Sequence, residues 1–415
     1  MLETYFVAPK TLKRLRSGPC EPYIDGFAEM LMKKGYSHAS AIRYLRAAAH
    51  LGYFLSSQGK ALTDIDSMTP DSFRLHLPTC RCLNSNGGKI NHHTFFGAKC
   101  FQQYLQQIGV VPLEPVAIVE SAEPTLLVNF RHWLHCHRGA AQSTIRLYCI
   151  GASQLLSALS ENTNQWNTQQ VRAFFLERAG KCGAPTLEKL VTSIRVFLRY
   201  LIACGHCSTD LDQAVPVFAH WRLAALPRCL TSDEVDQLII GCAGNSTKSV
   251  RDLAIILLLV RLGLRAGDVA GMCTDDIEWS SATLRVIGKS RYEVRLPLPQ
   301  DVGDAILHYL ECRPQNAQTN NLFVSNIAPF RPFISADGVS SVVKRALQRA
   351  GVKTPCKGAH VLRHTAATEM LRKGVPLDKI GLVLRHRSMD TTAYYAKVDV
   401  ELLRQVVQSW PEVLQ

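Results

Sequence analysis

The chain has 415 residues, 47% of them hydrophobic and 20% charged, with 47 Lys and Arg against 34 Asp and Glu and a formal net charge of +13. Apolar content near half excludes disorder along most of the chain, and the length predicts two to three domains. The longest unbroken apolar run, Leu253 to Val260, falls far short of the roughly 20 residues a membrane span needs, and the N-terminus has no signal-peptide pattern, so a soluble, cytoplasmic protein is expected.

The basic excess is spread evenly. Lys and Arg outnumber Asp and Glu by 13 to 9 over residues 1–120, by 11 to 6 over 121–228 and by 23 to 19 over 229–415. A chain basic along its whole length suits a protein that wraps a polyanion, because each neutralised phosphate releases counterions. The 14 cysteines are scattered and predict free thiols. Cys80 and Cys82, followed by His92 and His93, do not match the usual zinc-finger spacing. A solvated loop is expected there, with no metal and no cofactor.

In chain order, a helical segment over 1–110 precedes a Pro-rich linker over 111–124, a second helical segment over 125–206 and a second linker over 207–228, where Pro216 and Pro227 interrupt helical patterning. The two helical segments read as copies. Ser40-Ala41-Ile42-Arg43 corresponds to Ser143-Thr144-Ile145-Arg146, and Phe101, Tyr104, Leu105 and Gly109 correspond to Phe197, Tyr200, Leu201 and Gly205. Thr69 and Thr168 are candidate caps for helices running to Phe73 and Phe174.

The last domain, 229–415, opens with Thr231-Ser232-Asp233-Glu234, a capping box flanked by Leu230 and Val235 as a hydrophobic staple. An apolar helix over Leu253 to Leu262 follows. Thr283 to Leu298, alternating Leu284, Val286, Val294 and Leu296 around Gly288-Lys289-Ser290-Arg291, reads as a hairpin. Val339 to Ala350, Val361 to Lys373 and Pro376 to Val383 have helical character.

Several chemistries are excluded. Gly288-Lys289-Ser290 lacks the glycine a phosphate-binding loop needs five positions earlier, and no H-E-x-x-H, G-x-S-x-G or G-x-G-x-x-G occurs. Asp275, Asp276 and Glu278 are too tightly spaced at a strand start for a two-metal site and read as a solvated turn. What remains is a set of basic residues with a tyrosine near the end. Arg265 sits between glycines after the apolar helix. Lys289 is at the hairpin tip. His360, Arg363 and His364 share one helical face by their i, i+3, i+4 spacing, and His386 closes a short helix nine residues before Tyr395.

These motifs, LGLRAGDVAGM, GKSRYEVRLPL, HVLRHTAATEML and VLRHRSMDTTAYYAKV, make the last domain resemble the catalytic domain of the tyrosine recombinases, the phage integrase family. The resemblance implies a mainly α fold with a small β-hairpin or sheet in a mixed α+β catalytic domain, preceded by a helical core-binding domain over 125–206 and an additional helical DNA-binding domain over 1–110. It carries Arg265 and Arg363 over as the arginine pair, Lys289 as the hairpin lysine, His360 and His386 as the two histidines, and Tyr395 as the nucleophile. Asp268 stands where glutamate is usual, Arg385 where glycine is usual, and Tyr394 beside Tyr395 is a competing nucleophile.

The chemistry fits the residue types. Two planar guanidiniums can each fork onto the non-bridging oxygens of a phosphodiester as charge builds there, which lysine cannot do. The phenol, with an ordinary pKa of about 10, needs a proton acceptor or a positive surround, for which the resemblance offers His360. Lys289 can protonate the leaving 5′ oxygen, His386 can bond a phosphate oxygen, and His364 is expected to buttress the helix. A site-specific recombinase working through a 3′-phosphotyrosyl link on double-stranded DNA is expected, as a homo-tetramer, for integration, excision or resolution of a mobile element. A type IB topoisomerase and a non-catalytic DNA-binding regulator are the alternatives. A partner recombinase or an accessory DNA-bending protein would leave no mark in the sequence. Val400 to Trp410 presents an apolar face for a neighbouring subunit or its own domain.

Overall fold

A computed structural model describes residues 1–66, 68–80, 92–112, 124–208, 210–217, 228–287, 293–354, 358–386 and 388–395. It divides into two compact units, Met1–Leu113 with Leu223–Gln415, and Glu114–Arg222. No helix among the described residues is long and apolar enough to cross a membrane.

The first unit begins with five helices, α1 (Pro9–Arg16), α2 (Glu21–Lys33), α3 (His38–Ser57), α4 (Thr69–His76) and α5 (His92–Gln107). Phe27, Leu31, Leu45, Leu55 and Phe101 fill their core. Helix α3 starts where the Ser37 hydroxyl accepts the Ser40 amide at 3.3 Å. Gly97 lets α5 lie against α3, since a Cβ there would stand 2.8 Å from the Ala47 Cβ. The expected cap at Thr69 is displaced: Thr69 is the first helical residue, and the Asp66 carboxylate accepts its amide at 2.7 Å and its hydroxyl at 2.7 Å. A carboxylate accepts both more strongly than a hydroxyl would.

The second unit holds α6 (Thr125–Cys136), α7 (Gln142–Leu159), α8 (Thr168–Ala179) and α9 (Ala184–Ala203). Here the expected cap shifts by one residue, from Thr168 to Asn167. Asn167 forms a capping box with Gln170, its Oδ1 accepting the Gln170 amide at 2.9 Å while Gln170 Oε1 accepts the Asn167 amide at 3.0 Å. The cores of the two helical segments contain matching aromatic trios. Phe27 meets Phe101 edge-on at 5.0 Å, with Phe101 stacked on Tyr104 at 6.3 Å. Phe130 meets Phe197 edge-on at 4.9 Å, with Phe197 stacked on Tyr200 at 6.3 Å.

The remainder of the first unit runs α10 (Ser232–Ile240), α11 (Thr247–Leu262), α12 (Ala266–Gly271), β1 (Ile277–Glu278), β2 (Thr283–Ile287), β3 (Glu293–Pro297), α13 (Gln300–Cys312), α14 (Ala336–Arg349), α15 (His360–Arg372), α16 (Leu377–Leu384) and α17 (Met389–Ala393). The capping box forms as expected, with Glu234 donating its amide to Thr231 Oγ1 at 3.2 Å and accepting the Thr231 amide at 2.9 Å. The strands make an antiparallel sheet in the order β1-β2-β3, with Thr283 opposite Pro297 and Ile287 opposite Glu293. Leu284, Val286 and Leu296 point into the core at the two-residue period of a half-buried strand. The third strand, β1, was not legible in the hairpin pattern.

Helix α11 is the spine of this domain, buried on nearly every face from Val250 to Leu262. It therefore also buries a charged cluster. Asp252, fully buried, receives the Arg251 guanidinium at 2.6 Å and Arg349 at 3.3 Å, while Arg251 Nη1 donates to the Val324 carbonyl at 2.8 Å. The acidic trio is occupied locally. Asp276 accepts from the Cys273 amide and the Arg285 guanidinium, and Glu278 accepts from Ser280.

Candidate active site

The site is built where α11 and α16 end. Helix α11 stops at Gly263, whose φ of 59° lies in the left-handed region that favours glycine. A side chain there would also collide with Leu384, whose Cδ2 stands 2.6 Å from the position of a Cβ. That turn delivers Arg265 to the start of α12, where Asp268 Oδ2 accepts its backbone amide at 3.2 Å.

Both arginines are anchored by backbone carbonyls. Arg363, on α15 and 5% exposed, donates Nη1 to the Gly263 carbonyl at 2.5 Å and Nη2 to the Leu384 carbonyl. Arg265 donates Nη2 to the next carbonyl, that of Arg385, at 2.8 Å. The last carbonyls of α16, at the negative end of its dipole, hold the two cations side by side. Burial, and then Arg265, push Arg363 down to about 10, which leaves it charged at neutral pH. A guanidinium has five N–H donors, so these carbonyls orient it without exhausting it.

Arg385 ends α16 with φ 55°, the left-handed conformation that suits the glycine usual at this position. Its guanidinium lies 2.6 Å from Asp268, and the two side chains are only 8% and 6% exposed. The two departures from the family's commoner pattern therefore meet each other. Nε and Nη1 of Arg385 are buried without a hydrogen-bond partner among the described residues.

Tyr395 follows α17 and is 3% exposed. A 2.9 Å hydrogen bond joins its hydroxyl to His364 Nδ1. The Tyr395 ring stacks on His386 with centroids 6.2 Å apart and planes inclined by 6°. Burial raises the Tyr395 phenol above its ordinary value, while Arg363 pulls it back and Tyr394 adds to the rise. Burial, followed by His360 and Arg363, pushes His364 down to about 4. Burial, followed by Arg363, Arg265 and His364, does the same to His386, down to about 4. Both imidazoles are therefore neutral near pH 7. His386 Nδ1 pairs with the buried Thr392 hydroxyl at 2.8 Å, which fixes the ring.

The structure thus brings Arg265, Arg363, His364, His386 and Tyr395 together. His360 starts α15 at the exposed rim, its ring 6.2 Å from that of His364. The side chain against the Tyr395 hydroxyl is His364 rather than His360, so the residue expected to buttress the helix reaches the expected nucleophile. Its place on the His360–Arg363–His364 face was the available signal. Tyr394 is partly exposed and its ring lies 6.1 Å from that of His364. Lys289 and the stretch Val400 to Trp410 lie outside the described residues. In sequence, 288–292 joins the paired ends of β2 and β3.

Residues 228–401 match the model of the phage integrase family. Over 415 residues the chain is 34% identical to y4rA of Sinorhizobium fredii, a protein named as an integrase/recombinase, covering 98% of both chains. It is 27% identical to the tyrosine recombinase XerC of Thermodesulfovibrio yellowstonii over 68% of this chain and 94% of that one. Among solved structures, it resembles the XerH site-specific recombinase in a post-cleavage complex with palindromic difH, at TM-score 0.54 and 16% identity, over 67% of this chain and 83% of that one. It also resembles a lambda integrase tetramer bound to a Holliday junction, at TM-score 0.51 and 19% identity, over 73% and 89%. These likenesses favour a recombinase over a topoisomerase or a regulator. With a relative of this identity along its full length, the chain belongs to the phage integrase family, the tyrosine-type site-specific recombinases.

Proposed function

We propose that this recombinase cuts DNA by attack of the Tyr395 hydroxyl on a scissile phosphate. The phenolic proton passes toward His364 Nδ1, the new bond joins the Tyr395 oxygen to phosphorus, and the bond to the 5′ oxygen breaks. The products are a 3′-phosphotyrosyl link and a free 5′ hydroxyl. Because the link is itself a phosphodiester, rejoining to a partner strand needs no external energy source. Arg265 and Arg363 clamp the non-bridging oxygens, and His386, fixed by Thr392, bonds one of them. Arg385, paired with Asp268, holds the end of α16 whose carbonyls orient the two arginines. His360 sits at the rim as an auxiliary donor, and Lys289 protonates the leaving oxygen.

We further read the chain as three parts: helical domains over 1–110 and 125–206 that grip double-stranded DNA, with linkers over 111–124 and 207–228, and the catalytic domain over 229–415. The matching aromatic trios support the two helical domains as copies. The working form is a homo-tetramer on two duplexes in the cytoplasm, serving integration, excision or resolution of a mobile element. The lambda integrase tetramer supports that stoichiometry.

The observation that carries this reading is the 2.9 Å bond between Tyr395 and a neutral His364 beside a carbonyl-anchored arginine pair. The test uses purified protein and nicked duplexes tiled across the DNA flanking its own gene, quenched in SDS. An SDS-stable adduct formed by wild type and Tyr394→Phe but not by Tyr395→Phe is expected. An adduct that persists in Tyr395→Phe overturns the assignment.

A further inference from the structure

Far along the chain from this site, α3 and the end of α4 gather three metal-ligating side chains. His50 Nε2 stands 3.1 Å from Cys80 Sγ across 30 residues of sequence. The ligand atoms of His50, His76 and Cys80 all lie within 4.8 Å of one another. The solvated loop expected at Cys80 is therefore corrected: Cys80 is 8% exposed and faces two imidazoles. His93 is an exposed residue of α5, whereas Cys82 and the side chain of His92 lie outside the described residues.

The surroundings hold the two rings in place. Phe73 meets the His50 ring edge-on at 5.2 Å, and Phe54 packs on His76 at 4.7 Å. His76 and Cys80, four residues apart, come from the last turn of α4 and the chain just beyond it, whereas His50 comes from the middle of α3. A hydrogen bond joins His50 and Cys80, and the ring nitrogen of His76 lies within 4.8 Å of both.

A tetrahedral ion with Zn–S of about 2.3 Å and Zn–N of about 2.0–2.1 Å needs donors separated by roughly 3.3–3.7 Å. His50 Nε2 and Cys80 Sγ, at 3.1 Å, stand slightly closer than that, and every separation in the trio is within 4.8 Å, so small side-chain shifts would seat the ion. Two imidazoles and a thiolate, with no carboxylate in the trio, match zinc and reject magnesium or calcium, which take oxygen ligands.

We propose that His50, His76 and Cys80 bind a zinc ion that ties α3 to the C-terminal end of α4, with the fourth position filled from outside this trio. The thiol gives up its proton as the ion binds, and the ion clamps the N-terminal helical domain. The site is structural and independent of the phosphate chemistry.

The test is metal analysis of the full-length protein, purified without chelator, together with cobalt substitution. Expected are one equivalent of zinc in wild type and in the control Cys204→Ser, and a thiolate-to-cobalt charge-transfer band that Cys80→Ser abolishes. A chelator should lower the Tm of wild type but leave that of His76→Gln unmoved, which keeps the test open if Cys80→Ser does not fold. Folded wild type without zinc and with a chelator-insensitive Tm overturns the proposal, as does a charge-transfer band that survives in Cys80→Ser.

Discussion

Asp268 and Arg385, 117 residues apart, form a 2.6 Å ion pair that ties α12 to the end of α16, where both site arginines find their carbonyl anchors. Removing one partner strands a buried charge. Asp268→Asn is expected to cost about 3–5 kcal/mol, the range for breaking a buried pair. Arg385→Gly relieves the left-handed backbone but leaves Asp268 unpaired, so it should also destabilise. In a double-mutant cycle by urea denaturation, the pair should cost less than the sum of the singles; additivity would mean that the two do not act together.

His364 should matter more to cleavage than its expected buttress role allows. His364→Ala is expected to slow single-turnover cleavage by about 10²–10⁴-fold, the span of a positioned proton acceptor. His360→Ala, at the rim, should cost less. Cleavage by folded His364→Ala at the wild-type rate would remove this histidine from the proton transfer.

The charged cluster inside α11 makes a separate stability prediction. Asp252→Ala leaves Arg251 buried without its carboxylate and frees Arg349 from the same contact. A loss of about 3–5 kcal/mol is expected in equilibrium unfolding. A loss below about 1 kcal/mol would mean that the cluster is not closed in solution.

The histidines give stability a pH dependence of definite sign. His364 and His386 are held down to about 4 from an ordinary 6.5, so between those values the unfolded chain binds more protons than the folded one. Their contribution is fully present above about pH 6.5 and is lost as pH falls toward 4. Wild-type Tm should fall over that window more steeply than that of His364→Gln. Equal slopes would show that His364 does not titrate differently on folding.

Features encoded within a few residues were legible in the sequence. The Thr231–Glu234 box is one four-residue motif, and the Thr283 to Leu298 alternation carries its own register. The ordered motifs pointed to Arg265, Arg363, His386 and Tyr395, which the structure brings together. At the starts of α4 and α8 the side chains that accept backbone amides are Asp66, three residues before Thr69, and Asn167, one before Thr168, a choice that depends on loop geometry. What the sequence hid are meetings between distant segments. Tyr395 and His364 lie 31 residues apart, and His50 reaches Cys80 from another helix. A spacing rule for zinc fingers looks along the chain and passes over a ligand supplied by α3.

Attack by Tyr395 can be read from the trapped adduct itself. Wild-type protein captured on its nicked site, digested with nuclease and protease and mapped by mass spectrometry, should carry the residual nucleotide on Tyr395 through a 3′ phosphate. The released strand should accept a kinase label without prior phosphatase, as a free 5′ hydroxyl does. A nucleotide on Tyr394, or a released strand that needs phosphatase first, would rule out cleavage by Tyr395 through a 3′ phosphate.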